Sequence, residues 1–289
     1  MHVFITRALQ EHGVEHGRQS CVGQRKVNNM EELIKFTTEV ALEAGIFIKK
    51  KLNTVHTIEY KGEINLVTEV DTASEEIITS RIRQRFPDHD ILAEEFTRTH
   101  KGSDFQWVID PLDGTTNFAH GFPFFCVSIA LKRRNEVIVG VVYNPVMDEM
   151  FWAERGKGTY LNARRIQVSQ TEKIIESFMA TGFPYDLRES SSNNLNYFNA
   201  MMLNARAVRR AGSAALDLAY VATGCFDGYW EIKLNPWDTA AGWILVEEAG
   251  GMVTDMNGEG YYLDSPEIVA SNGRIHAEML SILKQAPSI

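Results

Sequence analysis

Between Met30 and Leu52, apolar residues return at helical spacing: Leu33, Phe36, Val40, Ala44, Phe47 and Ile48. That period lays one apolar stripe along an α-helix. Lys49, Lys50 and Lys51 crowd its C-terminal end, where the helix dipole favours cations. A loop and a short extended piece run from Lys61 to Asp71. Thr72-Ala73-Ser74-Glu75 then reads as a capping box opening a second helix to about Phe86, and Pro87-Asp88-His89-Asp90 breaks it. Ile91-Leu92-Ala93 and Gln106-Trp107-Val108-Ile109 are apolar runs of strand length, each ending in acids. Residues 124–131 and 136–143 predict a hairpin turned at Arg133-Arg134-Asn135, followed by a strand over 149–153 and a loop at Gly156-Lys157-Gly158.

From about Ile174 the texture changes to alternating strands and helices. Strands are expected over 177–181, 207–209, 228–231, 252–254 and 268–270. Helices are expected over 193–203, 213–223, 238–249 and 274–284, and Gly250-Gly251 stops the third of them. No repeat, low-complexity tract or flexible linker interrupts the pattern. The division it suggests is an N-terminal α+β sub-domain over 30–170 and a C-terminal α/β sub-domain over 171–289. An active site is expected in the crevice between them.

The first 29 residues lack an apolar core of the kind a secretory signal needs. Glu11 and Glu15 are unusual in a transit peptide. The expectation is a disordered extension or a start assigned too early, with Met30 as the true beginning. No apolar run approaches the roughly 20 residues that span a bilayer, so no membrane is expected. Hydrophobic residues make up 44% of the 289 and charged residues 23%, as in an ordinary globular protein, and the net charge of -9 disfavours a nucleic-acid surface. Cys21, Cys126 and Cys225 form no C-x-x-C pair, which argues against a zinc knuckle or disulfide framework and for a reducing, cytoplasmic setting.

The chemistry concentrates in Asp110-Pro111-Leu112-Asp113-Gly114-Thr115-Thr116-Asn117-Phe118, directly after Trp107-Val108-Ile109. Two carboxylates three residues apart, on what reads as a tight turn, offer hard oxygen ligands to a divalent cation such as Mg²⁺. The amides that follow can face an anion. The same residue types also make an ordinary turn. Glu94-Glu95 at a strand end is on its own usually solvated surface, Asp238 after Trp237 usually a helix N-cap, and Asp71 heads its helix in the same ambiguous way. Together they form four acidic clusters at strand ends and helix starts, the places where metal-assisted phosphate chemistry is assembled.

These residues resemble the inositol monophosphatase family of Mg²⁺-dependent, lithium-sensitive phosphatases. The resemblance rests on Ala93-Glu94-Glu95, the stretch Trp107 to Phe118, Gly212-Ser213-Ala214-Ala215, Pro236-Trp237-Asp238-Thr239-Ala240-Ala241-Gly242 and Glu247-Glu248-Ala249-Gly250-Gly251. It covers roughly Glu32 to Leu283. It implies a layered αβαβα sandwich like that of fructose-1,6-bisphosphatase, a homodimer, and hydrolysis of inositol monophosphate and related polyol phosphates with two to three Mg²⁺ ions.

Carried over residue by residue, the resemblance implies that Glu94, Asp110 and the Leu112 carbonyl hold one ion. Asp110, Asp113 and Asp238 hold a second, and Glu94 also contacts a third. Thr115 with Glu94 would orient the attacking water, and Asp71 would hold the Thr115 hydroxyl. Gly114 and Thr115 amides would grip phosphate, while Asp113, Gly212, Ala214 and Glu231 would meet the alcohol. Glu95 is implied as a supporting acid. Lys61 matches a lysine near a mobile loop. At Asn235 the chain departs from the histidine of animal members, which leaves the preferred alcohol open. Histidinol phosphate, fructose 1,6-bisphosphate or a 3′-phosphonucleotide are alternative substrates. A regulatory protein that binds the transcription machinery, as some bacterial relatives do, is an alternative of another class.

Overall fold

A computed structural model describes residues 30–52, 58–60 and 66–286. Helix α1 spans Met30–Lys51. Two short strands, β1 (Ile58–Tyr60) and β2 (Leu66–Thr68), pair antiparallel and lead into helix α2, Glu69–Arg85. The capping-box reading of Thr72 to Glu75 is therefore corrected, because α2 starts three residues before Thr72. Ser74 and Glu75 spend their polar atoms elsewhere. The Ser74 hydroxyl donates to the Pro111 carbonyl at 2.8 Å. The Glu75 carboxylate accepts the amides of Glu95, Phe96 and Thr97 at 2.8, 3.1 and 2.7 Å. Tertiary partners have displaced the local cap.

The large sheet contains β3 (Asp90–Ala93), β4 (Arg98–Thr99), β5 (Phe105–Asp113), β6 (Cys126–Arg133), β7 (Glu136–Asn144), β8 (Glu149–Glu154), β9 (Gly158–Leu161) and β10 (Arg164–Ile166). Their order is β10-β9-β8-β7-β6-β5-β3-β4, antiparallel throughout except where β3 runs parallel to β5. A five-residue helix, α3 (Thr115–Ala119), follows β5. It carries no apolar period long enough to register in the sequence. The predicted β6–β7 hairpin forms, with Arg134 in the left-handed region at its turn.

The second sheet contains β11 (Phe178–Thr181), β12 (Ala207–Arg209), β13 (Gly228–Ile232), β14 (Met252–Thr254) and β15 (Glu267–Ser271), in the order β12-β11-β13-β15-β14. Its helices are α4 (Leu195–Asn204), α5 (Ala214–Ala222), α6 (Pro236–Glu248) and α7 (His276–Lys284).

Strand parity sorts side chains into layers. Trp107, Ile109, Ile129 and Val141 face α1 and α2, meeting Leu33, Val40, Ile78 and Ile82. Val108, Ala130 and Val142 point the other way, onto Leu216, Leu218, Ala241 and Ile244 of α5 and α6. The same central core takes Ala180, Tyr229 and Ala270 from the small sheet. Their strand neighbours Met179, Trp230 and Val269 face outward onto Met201 of α4 and Met279 and Leu283 of α7. Helices, sheet, helices, sheet, helices: this is the αβαβα sandwich. No helix among the described residues is long and apolar enough to cross a membrane.

Candidate active site

Strand β5 does not stop at Ile109. It runs through Asp110-Pro111-Leu112-Asp113, and its register against β6 shifts between Asp110 and Asp113. The tight turn expected there is a bulged strand, which also accommodates a proline that a regular central strand would exclude. Within the bulge the Leu112 amide donates back to Asp110 Oδ1 at 3.0 Å. Gly114 then takes φ 92°, and a Cβ there would lie 2.9 Å from the Phe124 carbonyl, so only glycine fits.

Thr115 opens α3 with its hydroxyl 2.9 Å from Asp71 Oδ1 and 3.1 Å from the Leu112 carbonyl. Asp71, in the first turn of α2, is 1% exposed and backs this hydroxyl from beneath. The Asn117 amide donates to the carbonyls of Phe124 at 2.7 Å and Ala211 at 2.9 Å, tying α3 to the loop that carries Gly212. Nothing in the sequence marks that tie, since Asn117 and Ala211 lie 94 residues apart.

From the opposite side, α5 presents its N-terminus to Asp113. The Ser213 hydroxyl and the Ala215 amide donate to Asp113 Oδ2 at 2.6 and 2.8 Å, which brings the Gly212–Ala214 segment onto β5. Helix α6 begins at Pro236, with Asn235 as N-cap rather than Asp238. The Asp238 carboxylate instead accepts the Asn235 amide at 2.7 Å.

The surfaces enclose one cavity of about 130 Å³ lined by Glu94, Asp110, Asp113, Thr115, Glu231 and Asp238 among others. Glu231 is a buried residue within β13, where the Tyr229 hydroxyl donates to it, and not a surface acid. Gly212 and Ala214 stand behind Asp113, outside the lining. Glu95 is also outside it, its amide held by Glu75. Lys61 lies outside the described residues.

The electrostatics of this cavity are unfavourable as it stands. Burial first, then Glu94, Asp113 and Asp238, push the Asp110 carboxyl well above the usual carboxylate range. Asp238 is raised well above it too, by burial and then by Asp113, Glu94 and Glu231 against the relief of the Asn235 amide. Asp113 rises to about 6, burial outweighing its hydrogen bonds to Ser213 and Ala215, and Glu231 rises to about 7, chiefly through burial. The one ammonium on the described lining, Lys233, is engaged by Asp186 and Ser190 at 2.6 and 2.8 Å.

Among the described residues no three acid, histidine or cysteine side chains are drawn together tightly enough to ligate an ion as they stand. Asp113 is turned to α5 and Asp238 to its own helix cap. The donor chemistry nevertheless fits a hard divalent cation, because every candidate ligand is oxygen and the acids burden one another without one.

A model of the inositol monophosphatase family matches residues 29–288. An inositol-1-monophosphatase from Synechocystis sp. is 44% identical over 262 residues, covering 90% of this chain and 91% of that one. A Nus factor SuhB from Salmonella typhimurium is 42% identical over 259 residues, covering 88% and 97%. The solved structure of an inositol monophosphatase from Anabaena (Nostoc) sp. superposes with a TM-score of 0.83 at 42% identity, covering 91% of this chain and 99% of the other.

Proposed function

Because the chain belongs to the inositol monophosphatase family, a family of metal-dependent phosphatases of small phosphate esters, we propose that it hydrolyses inositol monophosphate and related polyol phosphates with Mg²⁺. The observation that carries this reading is the meeting of Glu94, Asp110, Asp113 and Asp238 on one small cavity, beside the Gly114–Thr115 start of α3. In this reading Glu94, Asp110, Asp113, Asp238 and the Leu112 carbonyl would hold two to three Mg²⁺ ions. When bound, those ions would offset the charge of the phosphate, lower the pKa of water and favour departure of the alkoxide.

The chain's own groups do the rest. The Thr115 hydroxyl has one proton, and given to Asp71 it leaves oxygen lone pairs to accept from an attacking water. Glu94 accepts the second proton of that water and so fixes its line of approach. Gly114 and Thr115 amides take the phosphate oxygens. Glu231 and Asp113, beside Gly212 and Ala214, accept hydroxyl protons of the alcohol. No covalent nucleophile is required, so the step is direct hydrolysis. The protein acts as a cytoplasmic homodimer in this reading.

The test is phosphate release from inositol 1-phosphate with and without Mg²⁺, beside Asp110→Asn. Mg²⁺-dependent release lost in the variant supports the reading, and release from other phosphates alone moves the substrate to a sister branch. Absence of release from any phosphate would overturn it. The relatives named Nus factor SuhB favour a second reading, a role on the transcription machinery. It predicts binding to that machinery that survives Asp110→Asn.

A further inference from the structure

One wall of the cavity is made by the segment that follows β11. After β11 the chain passes Gly182, Phe183, Pro184 and Tyr185, and the last three line the cavity together with Asp110 and Glu94. Its starting point is fixed by close contact. A Cβ on Gly182 would fall 2.2 Å from both carboxylate oxygens of Glu231, so the segment leaves from directly against that side chain. Its far side is latched, because Lys233 donates to Asp186 and Ser190 while itself sitting in the left-handed region at φ 61°. Tyr185 thereby lines the same cavity as Glu231 and Asp113.

Two donors of that region are already engaged. Lys233 is held as above and the backbone N–H of Asn235 by Asp238, while the Asn235 side chain lines the cavity together with Tyr185. Thr115 has its proton on Asp71 or Leu112. The carboxylates of Glu231 and Asp113 can only accept while ionised. A polyol whose hydroxyls give their protons to these acids keeps oxygen lone pairs that need a donor. Tyr185 has one.

We propose that the Tyr185 hydroxyl donates to a hydroxyl oxygen of the alcohol half of the substrate, making Tyr185 a specificity residue for polyol phosphates over phosphates without hydroxyls. The inference rests on the phosphatase reading given above and deepens it. Burial, followed by Asp113, Glu94, Asp238 and Asp110, raises the phenol's pKa, so the proton stays in place as a donor over the working range. The residue as a whole is 59% exposed, while its hydroxyl lies in the field of the acids.

The experiment compares wild type with Tyr185→Phe, each with Mg²⁺, on inositol 1-phosphate and on phenyl phosphate, which offers no hydroxyl. One neutral hydrogen bond predicts a roughly 3- to 10-fold loss in kcat/KM for inositol 1-phosphate, carried by KM, with phenyl phosphate unchanged. The melting temperature should stay within a degree or so of wild type. Equal losses on both substrates, or none on either, would overturn the role of Tyr185 while leaving the phosphatase intact. A wild type that turns over neither substrate removes the premise, and the inference with it.

Discussion

Two buried carboxylates at similar depth illustrate different uses of the same chemistry. Glu75 and Asp110 are each 2% exposed. Glu75 accepts three backbone amides from 95–97 and so fastens that loop to α2. Asp110 accepts one, from Leu112, and otherwise feels Glu94, Asp113 and Asp238. Burial therefore does not distinguish a structural acid from a reactive one. What distinguishes them is whether the surrounding backbone has supplied donors or left the charge to be met by a ligand.

The contrast is sharpest in what Asp110→Asn and Glu75→Ala would do. Asp110→Asn should cut Mg²⁺-dependent phosphate release on the order of 10³-fold, the loss of several kcal/mol of charge stabilisation. The metal-free melting temperature should hold or rise, because one of four mutually repelling acids is gone. Glu75→Ala should do the reverse. It strands three amides and costs about 3 kcal/mol, a melting temperature lower by roughly 6–12 °C, with residual activity in the folded fraction. If Asp110→Asn unfolds the protein, or Glu75→Ala leaves its stability untouched, the distinction fails.

Thr115 sits between the two kinds of site, one hydroxyl joining the buried Asp71 to the open cavity. Thr115→Val preserves shape and removes the hydroxyl, and should lower kcat by about 10²-fold with KM little changed. Thr115→Ser should restore most of it. Equal defects in both variants would mean that the methyl packing, not the hydroxyl, matters.

The same division explains how much could be read from sequence. The acids of the cavity were legible because each sits in a short local pattern: Glu94 after an apolar strand, Asp110 and Asp113 in one nine-residue stretch, Asp238 beside a tryptophan. The layered fold followed from the alternation of apolar periods. What misled was local geometry decided by distant partners. Thr72 to Glu75 has the form of a capping box, yet Glu75 serves amides twenty residues away. Asp110 to Asp113 has the composition of a turn, yet β6 draws it into a bulged strand. Asp238 has the position of a helix cap, yet Asn235 caps that helix. Ser213 reaches Asp113, and Tyr185 the cavity, only through tertiary folding, and no spacing in the chain marks either.

The smallest expected effect concerns the titration of the cavity acids. Asp113 near 6 and Glu231 near 7 are carboxyls whose folded values exceed their unfolded ones. The folded, metal-free protein therefore binds more protons than the unfolded chain between about pH 4 and 7, and these groups destabilise it progressively as pH rises through that window. His276 acts with the opposite sign. Burial lowers it to about 4 between Thr254 and Ser271, so it stays neutral when folded and costs stability as pH falls below about 6.5. Absolute melting curves mix the two effects, but the increment produced by Mg²⁺ isolates the cavity. Protons occupy at pH 5 the oxygens that Mg²⁺ needs at pH 7.5, so the rise in melting temperature on adding Mg²⁺ should be several degrees at pH 7.5 and shrink toward zero at pH 5. Asp110→Asn should flatten that difference while Glu75→Ala keeps it. An increment independent of pH would mean that the ion binds elsewhere than among these acids.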